Sequence, residues 1–140
     1  KIYSPEQLNI IRPKESVEAL KALSVNHQVT TLALDLTDGD VFAQQALFYQ
    51  KLASILQPDD ILVTTFIHDG HPDHETTGQV VTSFAKHHHL LCYQVLIWAW
   101  HWAKPDDSRI PWQHTVRVDL TPEQLEKKIQ AIHCLGSLYI

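Results

Sequence analysis

The stretch Ile61-Leu-Val-Thr-Thr-Phe66 is a short run of apolar and β-branched residues, and the polar stretch Ile67-His-Asp-Gly-His-Pro-Asp-His-Glu75 follows it directly. The apolar run predicts a strand that is buried on both faces. Residues 75–88 then carry apolar side chains at helical spacing, which predicts a helix. A strand, a polar turn and a helix in this order are typical of a parallel sheet with crossover helices, so this stretch predicts an α/β fold.

The same alternation of patterns continues on both sides of that stretch. The predicted helices are 13–24 with Pro13 in the first turn, 41–56, 75–88, and a closing helix that begins with the capping box Thr121-Pro-Glu-Gln124 and faces a core through Leu125, Ile129 and Ile132. The predicted strands are 29–34, 61–66, 90–98 and 115–120. We therefore expect residues 1–140 to form a single α/β domain, a three-layer α/β/α, Rossmann-like fold with a mostly parallel sheet. Because the order starts on a helix and the sequence starts with Lys1, we expect the first strand to lie upstream.

Composition and charge exclude several classes of function. The chain has 140 residues, with 11 Lys and Arg against 16 Asp and Glu, and a formal net charge of -5. Nucleic-acid grooves and polybasic membrane patches need clustered cations, so neither partner is expected. No apolar run approaches the roughly 18 residues of a membrane span. The two cysteines, Cys92 and Cys134, imply no disulfide framework, and we expect inert thiols and a cytoplasmic location.

The polar stretch after the central strand is the candidate site. Residues 68–75 contain three histidines and three carboxylates, at the strand end where open parallel sheets bind their ligands. Imidazole and carboxylate together suit Zn²⁺ or another divalent metal. His71 and His74 flank the stiff Pro72, and Asp73 could orient a ligating imidazole. Two histidines do not complete the three protein ligands of a catalytic zinc, and polar residues are also common in turns for structural reasons alone.

Aromatic residues form a second notable pattern. Trp98, Trp100 and Trp102 alternate with small residues and His101, and on a strand all three indoles would lie on one side with His101 on the other. Such a face suits a sugar ring, but tryptophan is also common in packed cores and in contacts between copies of a homo-oligomer, and we favour one of these two explanations for the row as a whole. The run His87-His88-His89 falls at the end of a predicted helix, where a structural role is expected.

These residues carry a resemblance to a known family. The segment Asp69-Gly-His-Pro-Asp-His-Glu-Thr-Thr-Gly78 resembles the second signature of the LmbE-like, or PIG-L, de-N-acetylases, which are zinc hydrolases that remove acetyl groups from N-acetylglucosamine-type sugars. Further segments resemble the family in order and spacing: Arg12 with Glu15, Asp38-Gly39, Trp98-Ala-Trp-His-Trp-Ala103 and Pro111-Trp112.

The resemblance implies roles for individual residues. His74 would be a zinc ligand, His71 would stabilise the oxyanion of the tetrahedral intermediate, and Asp73 would support that histidine. The residues expected on the side of the N-acetylated sugar or glycoconjugate are Arg12, Asp38, Trp100 and His101.

One family signature has no counterpart in this sequence. The first signature, His-Pro-Asp-Asp-Glu, supplies the other zinc ligands and the general base, and it would precede Arg12. We therefore expect an N-terminally incomplete deacetylase domain. The alternative is a non-catalytic carbohydrate-binding or interaction domain that retains the fold without a complete metal site.

Overall fold

The computed structural model describes residues 3–23 and 29–138, and the chain divides into two compact units. One unit comprises residues 1–31 and 116–140, and the other comprises residues 32–115. The α-helices are α1 (Pro5–Ala22), α2 (Gln45–Ile55), α3 (Pro72–His88), α4 (Ala99–Trp102) and α5 (Pro122–His133). The strands are β1 (Ile61–Thr65) and β2 (Leu91–Val95). Short 3₁₀ turns occur at Phe42–Gln44, Trp112–His114 and Gly136–Leu138.

The unit of residues 32–115 is built on one β-α-β crossover. Strands β1 and β2 pair in parallel, with a register that runs from Ile61 opposite Leu91 to Thr65 opposite Val95. Helix α3 connects the two strands and packs on both, and α2 packs on α3. A small parallel sheet combined with helices confirms the predicted α/β class, and it is consistent with a three-layer α/β/α fold.

The core of this unit lies between α2, α3 and one face of the sheet. Its buried members are Val41, Phe48, Leu62, Val80, Val81, Phe84 and Ala85. The other face of the sheet, which includes Ile61, Val63 and Tyr93, is exposed. The prediction that the central strand is buried on both faces was therefore wrong. Successive side chains alternate between the two faces of a strand, and α3 covers only the face that carries Leu62 and Thr64.

Two predicted strands are absent from the described residues. Residues 29–34 and 115–120 are irregular, and Val116 and Val118 are 73% and 77% exposed. Their β-branched side chains favour an extended backbone, but a strand also requires hydrogen bonds from a neighbouring strand. Within residues 3–23 and 29–138 the sheet contains β1 and β2 alone.

The unit of residues 1–31 and 116–140 pairs α1 with α5. Helix α1 begins at Pro5 and not at Pro13 as predicted, because Ser4 and Gln7 form a capping box further upstream. Pro13 therefore lies inside the helix. The capping box predicted at Thr121 and Gln124 is confirmed.

The closing helix does not bury the stripe that was expected to face a core. Leu125, Ile129 and Ile132 are 49%, 42% and 41% exposed, whereas Ala131 is buried. The helical spacing predicts the helix correctly, but spacing alone does not show what packs against its apolar side.

Candidate active site at the turn between β1 and α3

The site is built on the turn that leads from β1 into α3. His71 has an extended backbone (φ −123°, ψ 126°) and is the residue before the helix, and Pro72 occupies the first helical position. The helix therefore starts three residues earlier than the sequence predicted, which moves Asp73 and His74 from a loop into the first helical turn. Gly70 enters this turn with a φ of +86°, a conformation that glycine adopts without strain.

Close packing of α3 on β1 fixes the position of the turn. A Cβ atom added at Gly78 would run into the carbonyl oxygen of Thr65, so glycine allows the helix to approach the strand. The hydroxyl of Thr65 also donates to the carbonyl oxygen of His74 at 2.6 Å. The glycine that ends the quoted motif thus has a packing role.

The turn brings the two predicted histidines together. The ring centroids of His71 and His74 are 4.5 Å apart, with 33° between the ring planes. The ring of His71 also meets Trp98 edge-on at 5.7 Å between centroids. Nδ1 of His71 is buried and has no hydrogen-bond partner among the described residues. A buried polar atom without a partner is costly, so this imidazole is suited to receiving a polar group of a ligand.

His74 is held by a carboxylate from the same turn. Its Nδ1 lies 2.6 Å from Oδ2 of Asp69, whose side chain is completely buried. An imidazole whose Nδ1 faces a carboxylate keeps Nε2 available for a metal ion, as in many histidine ligands of zinc. His74 itself retains 27% of its side-chain exposure, so the ring can be reached from solvent.

Asp69 also binds three consecutive backbone amides. The N–H groups of Ile97, Trp98 and Ala99 donate to its carboxylate at 3.0, 2.7 and 3.0 Å. Burial raises the pKa of Asp69, but the hydrogen bonds from His74 and the three amides outweigh burial and leave the pKa below its ordinary value. The sequence pattern places Asp69 among the carboxylates of the turn but predicts no role for it.

Asp73 has different partners from those expected. Its carboxylate accepts from the backbone N–H of Gly39 at 2.6 Å and of Val41 at 3.3 Å. It therefore anchors the loop that contains Asp38, the predicted sugar contact, next to the first turn of α3. The carboxylate that supports an imidazole is Asp69, not Asp73. The two aspartates could not be told apart from spacing, because each lies within five residues of both histidines.

The tryptophan segment folds as a helical turn and not as a strand. Strand β2 ends at Val95 and α4 covers Ala99–Trp102, so the expected one-sided row of indoles does not form. Trp100 is 71% exposed, whereas Nε1 of Trp102 donates to the carbonyl oxygen of Asp69 at 2.7 Å. His101 does not point away from the indoles, because its ring packs on Trp98 at 4.5 Å between centroids.

These contacts show which of the aromatic residues lies beside the candidate histidines. Trp98 is the indole that lies against His71, whereas Trp100 was the predicted contact to the sugar. The Arg109 guanidinium stacks 4.0 Å from the ring centre of Trp102 and covers it. Arg12 lies on α1, in the unit formed by residues 1–31 and 116–140.

The donor set fits a share of a zinc site and not a whole one. Among residues 3–23 and 29–138, no group of three or more His, Cys, Asp and Glu side chains is arranged to hold a metal ion. His74 presents one suitable nitrogen, but a protein zinc site uses three or four ligands.

Membrane-spanning helices are a separate question. Among residues 3–23 and 29–138, no helix has the length and the apolar composition that a bilayer span requires.

The two imidazoles lie beyond the carboxyl end of a parallel strand, which is where open α/β sheets bind their ligands. The family model PIG-L, described as GlcNAc-PI de-N-acetylase, matches residues 1–85, which include β1, the turn and most of α3. The chain therefore belongs to the PIG-L family. Comparisons with curated proteins and with solved structures gave no match.

Proposed function

We propose that this chain is a domain of a zinc-dependent hydrolase that removes the acetyl group from an N-acetylated amino sugar or glycoconjugate. The observation that carries the proposal is the pair His71 and His74 at the end of β1, with Nδ1 of His74 occupied by Asp69. The membership of the PIG-L family supports the reaction class and the sugar substrate.

Each residue of the pair has its own task in this proposal. His74 would hold zinc through Nε2, and zinc, when bound, supplies an activated water and polarises the acyl oxygen. His71, in its protonated form, would donate a hydrogen bond to the negative charge that develops on that oxygen. Trp98 lies against His71 and would limit access of bulk water to this side of the amide.

Asp73 and the loop it anchors contribute to substrate placement. The carboxylate fixes the amides of Gly39 and Val41, so Asp38 is held near the start of α3. Asp38 is exposed and would accept hydrogen bonds from sugar hydroxyls. We also propose His101 as a substrate-side residue, because the family resemblance implies it; the sugar contact of Arg12, which lies in the other compact unit, stays a prediction.

Zinc binding by His74 is tested with the full chain and two alanine variants. We expect His74→Ala to weaken zinc binding at least 10-fold in a chelator competition assay. His87→Ala is the matched control, because His87 is an exposed histidine at the opposite end of the same helix and should leave the affinity unchanged. Equal zinc affinity in His74→Ala and the wild-type chain would contradict the ligand assignment. Release of acetate from N-acetylglucosamine derivatives tests the reaction.

A non-catalytic carbohydrate-binding domain is the second candidate. It is favoured by the lack of a complete metal site among the described residues and by the 71% exposure of the Trp100 indole. In that case the chain would bind an N-acetylated sugar without zinc and without acetate release. Trp100→Ala would then abolish sugar binding with little change in stability, since exposed aromatic faces stack on sugar rings.

A further inference from the structure

Asp69 has an environment that is unusual for a residue in a surface turn. None of its side chain is exposed, and four donors surround its two carboxylate oxygens. Oδ1 accepts from the amides of Ile97 and Ala99. Oδ2 accepts from the amide of Trp98 and faces Nδ1 of His74. Each oxygen is therefore shared by two partners.

The chemistry of these partners fixes the proton on His74. Backbone amides can only donate, and an ionised carboxylate can only accept. A short contact between Nδ1 and Oδ2 is favourable only when Nδ1 carries the proton. The described residues form no hydrogen bond to Nε2 of His74, so this nitrogen keeps its lone pair in the neutral ring.

We propose that Asp69 is a positioning residue that holds His74 in the Nδ1–H tautomer, so that Nε2 can coordinate a divalent cation. The inference rests on the proposed role of His74 as a metal ligand. It also assigns Asp69 a second effect, because the same carboxylate fixes the segment that carries Trp98, and Trp98 packs on His71. One buried side chain thus holds the His74 ring directly and holds the backbone of Trp98, the residue that packs on His71.

An asparagine at this position tests the idea because it is nearly the same size. If its NH₂ group faced Ile97 and Ala99, two amide donors would oppose it; if it faced Trp98 and His74, only one would. In the second orientation the NH₂ group can donate to Nδ1 of His74. The imidazole would then move its proton to Nε2, and the nitrogen that should bind the metal would lose its free lone pair.

The experiment measures the tautomer of His74 by ¹H–¹⁵N NMR on the ¹⁵N-labelled full chain without metal, at a pH where the ring is neutral. We expect the Nδ1–H form in the wild-type chain and a shift to the Nε2–H form in Asp69→Asn. Zinc affinity should fall by about 10- to 100-fold in the variant. Asp60→Asn is the control, because Asp60 also accepts a backbone amide, at the opposite end of β1.

Several outcomes separate this inference from the proposed function. An Nε2–H tautomer in the wild-type chain would overturn the inference, and this result does not depend on whether Asp69→Asn folds. Unchanged tautomer and zinc affinity in a folded Asp69→Asn would also overturn it. The expected change of tautomer in a chain that binds no zinc would support the positioning by Asp69 and would contradict the proposed metal ligand.

Discussion

Asp69 and Asp73 are buried carboxylates four residues apart in one turn, yet they hold different parts of the molecule. Asp69 binds the segment of residues 97–99 and the ring of His74. Asp73 binds the loop of residues 39–41 and no imidazole. Asp69 therefore contacts one of the two candidate site histidines, whereas Asp73 contacts only the backbone of a surface loop. Burial shows that a carboxylate is hydrogen-bonded to other parts of the molecule. Only the identity of its partners shows whether it can act on the candidate site.

The difference between the two aspartates predicts unequal losses of stability. Asp69→Ala leaves three amides and an imidazole without their acceptor, so we expect the free energy of unfolding to fall by about 3–5 kcal/mol. Asp73→Ala removes two amide contacts, and one of them belongs to Gly39, an exposed residue whose amide can be hydrated, so we expect a loss of about 1–2 kcal/mol. Urea denaturation followed by circular dichroism measures both. Equal losses would show that the two carboxylates are equivalent supports.

The sequence was sufficient for the local parts of this site. The apolar run of β1, the crossover helix and the closeness of His71 and His74 follow from patterns within about thirty residues. The role of Asp69 could not be predicted in this way, because its amide partners lie 28, 29 and 30 residues away and backbone amides carry no sequence signal.

The strands that were predicted wrongly failed for the same reason, which is that their outcome depends on distant residues. Residues 29–34 and 115–120 carry the composition of strands, but composition does not specify a pairing partner. The alternation around Trp100 suggested a strand for a similar reason. The segment becomes the helix α4, and the amides of Trp98 and Ala99 at its start are satisfied by Asp69 from a distant turn. Nothing local predicts that acceptor.

Gly70, next to Asp69, and Gly39, in the loop that Asp73 binds, allow a second comparison of the surroundings of the two aspartates. Gly70 and Gly39 both have a positive φ, +86° and +82°, so alanine at either position costs about 1 kcal/mol of backbone strain. A Cβ at Gly70 would lie 2.7 Å from Nε1 of Trp102, whose indole is bonded to Asp69, whereas a Cβ at Gly39 meets no atom within 4 Å. We expect Gly70→Ala to be less stable than Gly39→Ala by about 1–3 kcal/mol.

Thermal unfolding of the two glycine variants checks this expectation. The Gly39→Ala chain is the control for the cost of a positive φ alone, since both variants add the same methyl group. Equal melting temperatures would mean that Trp102 moves aside freely. The hydrogen bond from its indole to the carbonyl oxygen of Asp69 would then not help to stabilise the turn between β1 and α3.

The smallest expected effect concerns acid. The pKa of Asp69 is lower in the folded chain than its ordinary value of 3.8, although burial opposes this, because His74 and three amides donate to the carboxylate. The unfolded chain therefore binds more protons in this range, and stability rises with pH. The contribution is fully present above a pH of about 4 and is lost as the pH falls through the folded-state pKa. The stability advantage of the wild-type chain over Asp69→Asn should accordingly shrink as the pH is lowered from 6 to 3 in urea titrations. A stability advantage that stays constant over this range would mean that Asp69 contributes through its shape and not through its charge. The negative charge of Asp69 would then not be what sets it apart from Asp73.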